Sequence, residues 1–350
     1  MEHAEFAPRL LDWFERHGRH DLPWQHPRSP YRVWVAEIML QQTQVATVIP
    51  YFQRFVDALP TLPLLAAANE DTVLALWSGL GYYSRARNLR AAAKRCATEH
   101  EGSLPDDLEA LQALPGIGRS TAAAIRAQAF GRPDAILDGN VKRVLCRLFG
   151  IEGWPGERRI EQQLWTLAAS LMPDERCADY TQAIMDFGAT LCSRARPACA
   201  ICPFSDDCEA RLSSRVDSLP TPRPRREVPQ RECSMLVLCD PDGRLLLQRR
   251  EGSGVWQGLW SLPQFEAAEA ARDFAVSLGA RDDGRPLEPV EHAFTHYRLR
   301  IHPLRFDLPG RSAPRIGDNP ATRWITRSEL LELGLPAPVR RLVSHIKEFR

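Results

Sequence analysis

The chain has 350 residues, enough for two domains that each bury a core. Its 45 basic and 44 acidic side chains leave a net charge of +1, which excludes a globally basic nucleic-acid binder; any basic face must be local. No apolar run approaches a membrane span, and residues 1–11 lack the apolar core of a secretory signal, so the expected setting is a reducing interior compartment, away from the membrane.

From residue 6 to about 212, apolar residues recur at three- and four-residue spacing, which predicts an almost wholly helical region. The first long stretch, 30–56, carries Glu37 as a lone acid among Val33, Trp34, Ile38, Met39 and Leu40. A solvated surface glutamate is the ordinary reading of such a residue, but these neighbours leave little exposed face. Burial raises a carboxyl pKa, which makes Glu37 a candidate neutral general acid. A second stretch, 71–99, contains G-L-G-Y-Y-S-R-A-R at 79–87.

Residues 106–113 and 120–130 flank L-P-G-I-G-R-S-T-A at 114–122. Gly116 and Gly118 let the backbone turn sharply, and amides at the start of the next helix form an anion site suited to a DNA phosphate. A plain turn between helices is the competing reading. Asp138, in I-L-D-G-N-V-K-R at 136–143, stands where it would cap the helix of residues 140–149. A helix N-terminus favours the charged form of a carboxyl, and such an anion suits a reaction that builds positive charge at C1′ of a sugar.

Cys192, Cys199, Cys202 and Cys208 follow as C-x6-C-x2-C-x5-C. Thiolates this close in an interior protein point to a metal centre, and with only one C-x2-C pair a [4Fe–4S] cluster fits better than structural zinc. The other cysteines (Cys96, Cys146, Cys177, Cys233, Cys239) are scattered and read as small buried hydrophobes. Residues 213–231, rich in proline and arginine, predict an extended linker, with Arg223, Arg225 and Arg226 able to follow a DNA backbone. Beyond it, strands are expected at 233–239, 244–250 and 298–306, a hairpin turn at 240–243 and a closing helix over 328–349.

The cysteine spacing and the L-P-G-I-G hairpin resemble those of the endonuclease III and MutY families of DNA glycosylases. V-A-E-I-M-L-Q-Q-T-Q-V at 35–45, the 79–87 motif and L-D-G-N-V-K-R-V at 137–144 narrow the resemblance, over essentially the whole chain, to the adenine DNA glycosylases. It implies a mostly α N-terminal helix-hairpin-helix glycosylase domain (1–212) with a [4Fe–4S] loop at 192–208. An α+β Nudix-like C-terminal lesion-recognition domain (232–350) follows the 213–231 linker.

The implied activity is monofunctional excision of adenine opposite 8-oxoguanine or guanine in double-stranded DNA, by a monomer of the cytoplasm (bacterial nucleoid) or nucleus. Glu37 would protonate the leaving base, and Asp138, supported by Asn140, would stabilise or trap the sugar cation. Ser120 occupies the place of the lysine that makes the endonuclease III branch strand-cleaving lyases; serine forms no imine. Gln42, Thr43, Leu80 and Tyr82 would wedge into or touch the lesion-bearing strand, and Trp24 and Gln182 would lie near the adenine pocket. Phe294, Thr295 and His296 would read the oxidised guanine, with Thr295 replacing the family's serine.

In the Nudix-like part, Val276 and Ser277 stand where a metal-holding box needs acids, so lesion recognition is expected there and metal-dependent hydrolysis is not. Two alternatives remain: an endonuclease III-like glycosylase/lyase for oxidised pyrimidines, and a non-catalytic lesion binder.

Overall fold

The computed structural model describes residues 3–224, 227–252, 254–281, 283–309, 321–330 and 332–346; Arg225, Arg226 and the last expected helical residues (347–349) lie outside that set. In chain order the helices are α1 (His3–His17), α2 (Pro30–Leu40), α3 (Val45–Ala58), α4 (Leu62–Ala67), α5 (Glu70–Trp77), α6 (Ser84–Glu99), α7 (Leu108–Ala113), α8 (Arg119–Phe130), α9 (Gly139–Leu148), α10 (Arg158–Ser170), α11 (Cys177–Asp186) and α12 (Glu209–Leu212). Their starts are set locally. Ser29 Oγ accepts from the Arg32 amide with Pro30 in the first turn of α2, and Asn69, Asp107 and Asp138 cap α5, α7 and α9 in the same way.

Two stretches expected as continuous helices are broken. Residues 30–56 divide between Leu40 and Val45, where Gln42 takes a left-handed φ of +58°. Residues 71–99 divide between Trp77 and Ser84, where Gly79, Gly81 and Tyr82 all have positive φ. One left-handed residue ends an α-helix, because its carbonyl and amide leave the ladder. Apolar spacing continues across both breaks, which is why periodicity misses them.

Packing divides the chain into two compact units: Met1–Ala66 with Ala91–Arg225, and Ala67–Arg90 with Arg226–Arg350. The core of the first joins Phe6, Leu10 and Phe14 of α1 to Val141, Val144 and Leu145 of α9 and to Tyr180 and Ile184 of α11. Each fully buried side chain of this size contributes about 1.5–3 kcal/mol. Phe204, from the cysteine loop, stacks on Phe6 at 5.0 Å between ring centroids, so the loop is anchored in that core.

The second unit contains a sheet built on β1 (Gln230–Cys239), β2 (Leu245–Arg249), β3 (Trp260–Ser261), β4 (Gln264–Phe265), β5 (Arg285–Pro286), β6 (Val290–Ala293), β7 (Arg298–Asp307) and β8 (Thr322–Ile325). β1 and β7 pair in parallel at its centre, from Gln230 opposite Arg298 to Cys239 opposite Asp307. β1 begins two residues inside the segment expected to be linker. The turn at 240–243 closes as expected, with the Asp240 amide donating to the Arg244 carbonyl. Helix α13 (Ala268–Ser277) lays Ala271 and Ala275 on Leu236, Leu238 and Phe306. The expected closing helix is instead α14 (Arg327–Leu330) and α15 (Ala337–Ser344), since Pro336 cannot continue an α-helix and Pro338 is tolerated in the first turn of a new one.

Candidate active site and DNA interface

In the first unit, α2 and the start of α9 supply the two carboxylates. Glu37 is half-buried, and Gln128 of α8 donates to its Oε1 at 2.7 Å. Burial pushes its pKa up to about 7; the Gln128 bond opposes this and the Asp138 charge adds to it. Asp138 caps α9: its Oδ1 accepts from the Val141 amide at 2.8 Å and its Oδ2 from Asn140 Nδ2 at 3.2 Å. The cap is therefore as expected, but its lowering effect on the pKa is outweighed. Burial raises the Asp138 pKa above the usual aspartate value, while the Val141 and Asn140 bonds and Arg143 pull it down.

The hairpin runs from α7 to α8. Leu114 and Ile117 are buried, and they hold Gly116 and Gly118 on the outside. Only Gly116 needs glycine for its backbone, with φ of +80°. Gly118 is the N-cap of α8 at φ −88°, and a Cβ built there would meet nothing within 4 Å. What its missing side chain leaves open is the space before the Gly118, Arg119 and Ser120 amides, which precede the first bond of the helix, from the Ala122 amide to the Gly118 carbonyl. Ser120 Oγ accepts from the Leu137 amide at 3.0 Å, tying α8 to the residue before Asp138.

Of the other expected residues in this unit, Gln42 is exposed and Thr43 half-buried, both in the break after α2. The neighbouring Gln41 donates towards the Gly116 carbonyl (3.4 Å) and Thr121 Oγ1 (3.3 Å). Trp24 is buried with its edge on the Phe52 ring, 5.5 Å between centroids. Gln182 is buried in α11 and donates through Nε2 to Asp186 Oδ1 at 2.7 Å. Asp186 is 0% exposed and also receives the Arg19 amide and guanidinium. With its nitrogen committed to Asp186, Gln182 has an oxygen left to accept.

Cys192, Cys199, Cys202 and Cys208 are free thiols lining one pocket, together with Arg147, Phe187 and Leu191. Burial raises the Cys202 pKa to about 12, and the other three sulfurs add to the rise, so a cation at this place would be needed to ionise it. Among the described residues no three His, Cys, Asp or Glu side chains form a set that could hold a single metal ion. Arg147, buried in α9, donates to the carbonyls of Ser193, Arg194, Val216 and Leu219 and to Cys192 Sγ, which shapes the loop from inside. Arg143 donates to the Cys192 carbonyl (2.8 Å) and to Asn140 Oδ1 (2.9 Å). Arg223 lies over the Trp154 ring, a contact that serves the chain itself.

In the second unit, Leu80 and Tyr82 lie in the loop between α5 and α6. Leu80 is 6% exposed, so its side chain packs inward and does not face solvent as a wedge would; Tyr82 is 46% exposed at a left-handed φ of +49°. Phe294, Thr295 and His296 form the turn between β6 and β7, closed by the Phe294 amide on the Tyr297 carbonyl, with Thr295 and His296 exposed and Phe294 half-buried. Phe294 packs against Trp256 (5.2 Å), His292 (4.6 Å) and Tyr297 (4.6 Å). Val276 is exposed on α13, and Ser277 Oγ bonds the Phe274 carbonyl.

Sequence reasoning missed Gln128, Asp186, Arg19, Arg143, Arg147, Trp256 and His292. A signal existed for three of them. Arg147 in V-L-C-R-L-F and Asp186 in A-I-M-D-F-G are lone polar residues in apolar helical runs, and Gln128 in A-I-R-A-Q-A-F is an uncharged one between alanines, where burial demands a partner.

Residues 35–170 match the HhH-GPD superfamily of base excision DNA repair proteins, and residues 234–345 match the NUDIX domain. The adenine DNA glycosylase of Buchnera aphidicola subsp. Acyrthosiphon pisum (strain APS) is 34% identical over 347 residues, covering 98% of each chain. The chain belongs to the adenine DNA glycosylase family. The Homo sapiens adenine DNA glycosylase is 36% identical over 94% of this chain and 71% of its own length. Among solved structures, a thermostable thymine-DNA glycosylase matches 60% of this chain and 97% of its own, at 28% identity and a TM-score of 0.56. A non-covalent endonuclease III–DNA complex shares the fold over 61% of this chain and 98% of its own, at 22% identity and a TM-score of 0.53. The expected fold class, a helical helix-hairpin-helix glycosylase region followed by a Nudix-like one, is thus correct. No helix among the described residues is long and apolar enough to cross a membrane.

Proposed function

We propose that the chain excises adenine paired with 8-oxoguanine or guanine from double-stranded DNA, without cutting the strand. The observation that carries the reading is the carboxylate pair: Glu37, pushed to about 7 and held by Gln128, in electrostatic reach of Asp138 at the N-terminus of α9. The adenine, flipped from the stack, takes the Glu37 proton at N7. The C1′–N9 bond breaks and its electron pair leaves with the neutral base. Asp138, oriented by Asn140, stabilises the C1′ cation or traps it, and water then adds at C1′ while its proton returns to Glu37.

Ser120 offers no amine, so an abasic site is the product. Its bond to the Leu137 amide supports a role in holding Asp138. Gly116 and Gly118 seat a phosphate. Gln42, Thr43, Leu80 and Tyr82 wedge into or contact the lesion-bearing strand, and the Phe294–His296 turn reads the oxidised guanine. Trp24 and Gln182 border the base pocket, and the Gln182 oxygen suits an exocyclic amine.

The division proposed is residues 1–212 for glycosylase chemistry, 213–231 as linker and 232–350 for lesion reading, in a monomer of the cytoplasm or nucleus. Cys192, Cys199, Cys202 and Cys208 would hold a [4Fe–4S] cluster: four free thiols on one cavity wall fit it. When bound, such a cluster supplies metal–thiolate bonds that close the loop. Anaerobically purified protein should be coloured by it, and a colourless zinc protein would remove that part of the reading.

Single-turnover base release decides the main reading, on duplexes with A opposite 8-oxoguanine, A opposite G and thymine glycol opposite A, each with and without alkali. Alkali-dependent cleavage at adenine, fastest opposite 8-oxoguanine and lost in Asp138→Asn, is expected. Alkali-independent cleavage at thymine glycol would establish the endonuclease III-like lyase instead.

A further inference from the structure

Residues 67–90 lie within the helical half of the sequence, yet they pack as one compact unit with the C-terminal residues. The contacts are specific. Tyr83 Oη donates to the Leu335 carbonyl at 2.7 Å and accepts from the Gly79 amide at 3.2 Å. Arg340 of α15 donates to Ser78 Oγ at 2.6 Å, and Ser78 is the residue that ends α5. Arg249 of β2 lies 3.6 Å from Glu70 and 3.4 Å from Asp71 at the start of α5. Gly334 touches α5 so closely that a Cβ would come 2.8 Å from Leu74 Cβ.

The loop between these anchors, Ser78 to Tyr83, carries Tyr82. Inside it, the Arg85 guanidinium lies over the Trp77 and Tyr82 rings at 5.5 and 5.4 Å and donates to the Leu80 and Gly81 carbonyls. A left-handed Tyr82 is a conformation most residues avoid, so it persists only where its surroundings fix it.

We propose that Arg340 and Tyr83 are positioning residues for lesion discrimination: through Ser78, Gly79 and Leu335 they hold the Tyr82 loop to the Nudix-like fold, so that this unit presents both Tyr82 and the Phe294–His296 turn. The inference rests on the reading that Tyr82 contacts the lesion-bearing strand. Neither residue need touch DNA. Each acts on a backbone that has two anchors, and removing one lets the loop leave the conformation that presents the Tyr82 ring.

The test is a double-mutant cycle in the full-length protein, read as the ratio of single-turnover adenine release from A:8-oxoguanine and A:G duplexes. Tyr82→Ala reports on the underlying reading and should lower the ratio. Arg340→Ala should lower it roughly tenfold, the loss of one charge-assisted hydrogen bond's worth of loop ordering, and the double variant should be no worse than Tyr82→Ala alone. Tyr83→Phe, which deletes one oxygen, serves if Arg340→Ala does not fold. If Tyr82→Ala lowers the ratio while Arg340→Ala and Tyr83→Phe keep it, or if the effects multiply, the positioning role is overturned and the Tyr82 reading stands. If Tyr82→Ala keeps the ratio, the underlying reading fails and takes this inference with it.

Discussion

Glu37 and Asp138 are both carboxylates in apolar surroundings, and they differ in their hydrogen-bond partners. Glu37 has one opposing donor, Gln128, and is pushed to about 7; Asp138, raised by burial, is opposed by the Val141 amide, Asn140 and Arg143. A general acid must be protonated, so adenine release should hold below pH 7 and fall as pH rises through that value. Gln128→Leu removes the bond that lowers the Glu37 pKa, and the fall should move to higher pH in single-turnover rates. Stability follows the same sign. The folded-state pKa of Glu37 lies above its unfolded value, so its contribution is lost as pH rises from about 4.3 to about 7. Glu37→Gln should accordingly melt higher than the parent above pH 7, while losing on the order of 10²–10⁴ in rate. Asp138 has a second task as cap. Asp138→Asn keeps an acceptor for the Val141 amide and should keep its melting temperature; Asp138→Ala should lose about 1 kcal/mol as well as adenine release.

Among elements, the hairpin separates backbone need from ligand need. Gly116→Ala forces a left-handed alanine and should cost roughly 1–2 kcal/mol in unfolding experiments. Gly118→Ala meets no protein atom, so its unfolding curve should overlay the parent's while DNA binding weakens, because the methyl stands before the α8 amides. The cysteine spacing, the hairpin and both carboxylates were legible in the sequence because each is a local pattern with one chemistry behind it. The breaks at 41–44 and 78–83 were not, although Gly79 and Gly81 hinted at the second: apolar period runs through both, and only tertiary packing sets Gln42 and Tyr82 at positive φ. The direction of the Asp138 pKa shift was not legible for a related reason. A helix N-terminus can be read from sequence, but the burial that outweighs it cannot.

At the scale of the molecule, length and the Pro/Arg segment predicted two domains, and family models match 35–170 and 234–345. Packing draws its line elsewhere, since Ala67–Arg90 belongs with the C-terminal residues. No periodicity or motif could have announced that, because it depends on Ser78 and Tyr83 finding partners 262 and 252 residues away. The distance has a consequence for synthesis. At about 5–20 residues per second, the 67–90 segment waits on the order of 10–50 s for Leu335 and Arg340 to be made. During that interval Leu74, Trp77 and Tyr83, all buried in the finished fold, have no shelter from those residues. Ribosome-bound chains stalled before residue 330 should be cut by protease between 70 and 90, and released full-length chains should resist; equal resistance in both would show that the segment finds cover without its C-terminal partners. A repair enzyme built this way emerges from the ribosome with its Tyr82 loop as the last part to set.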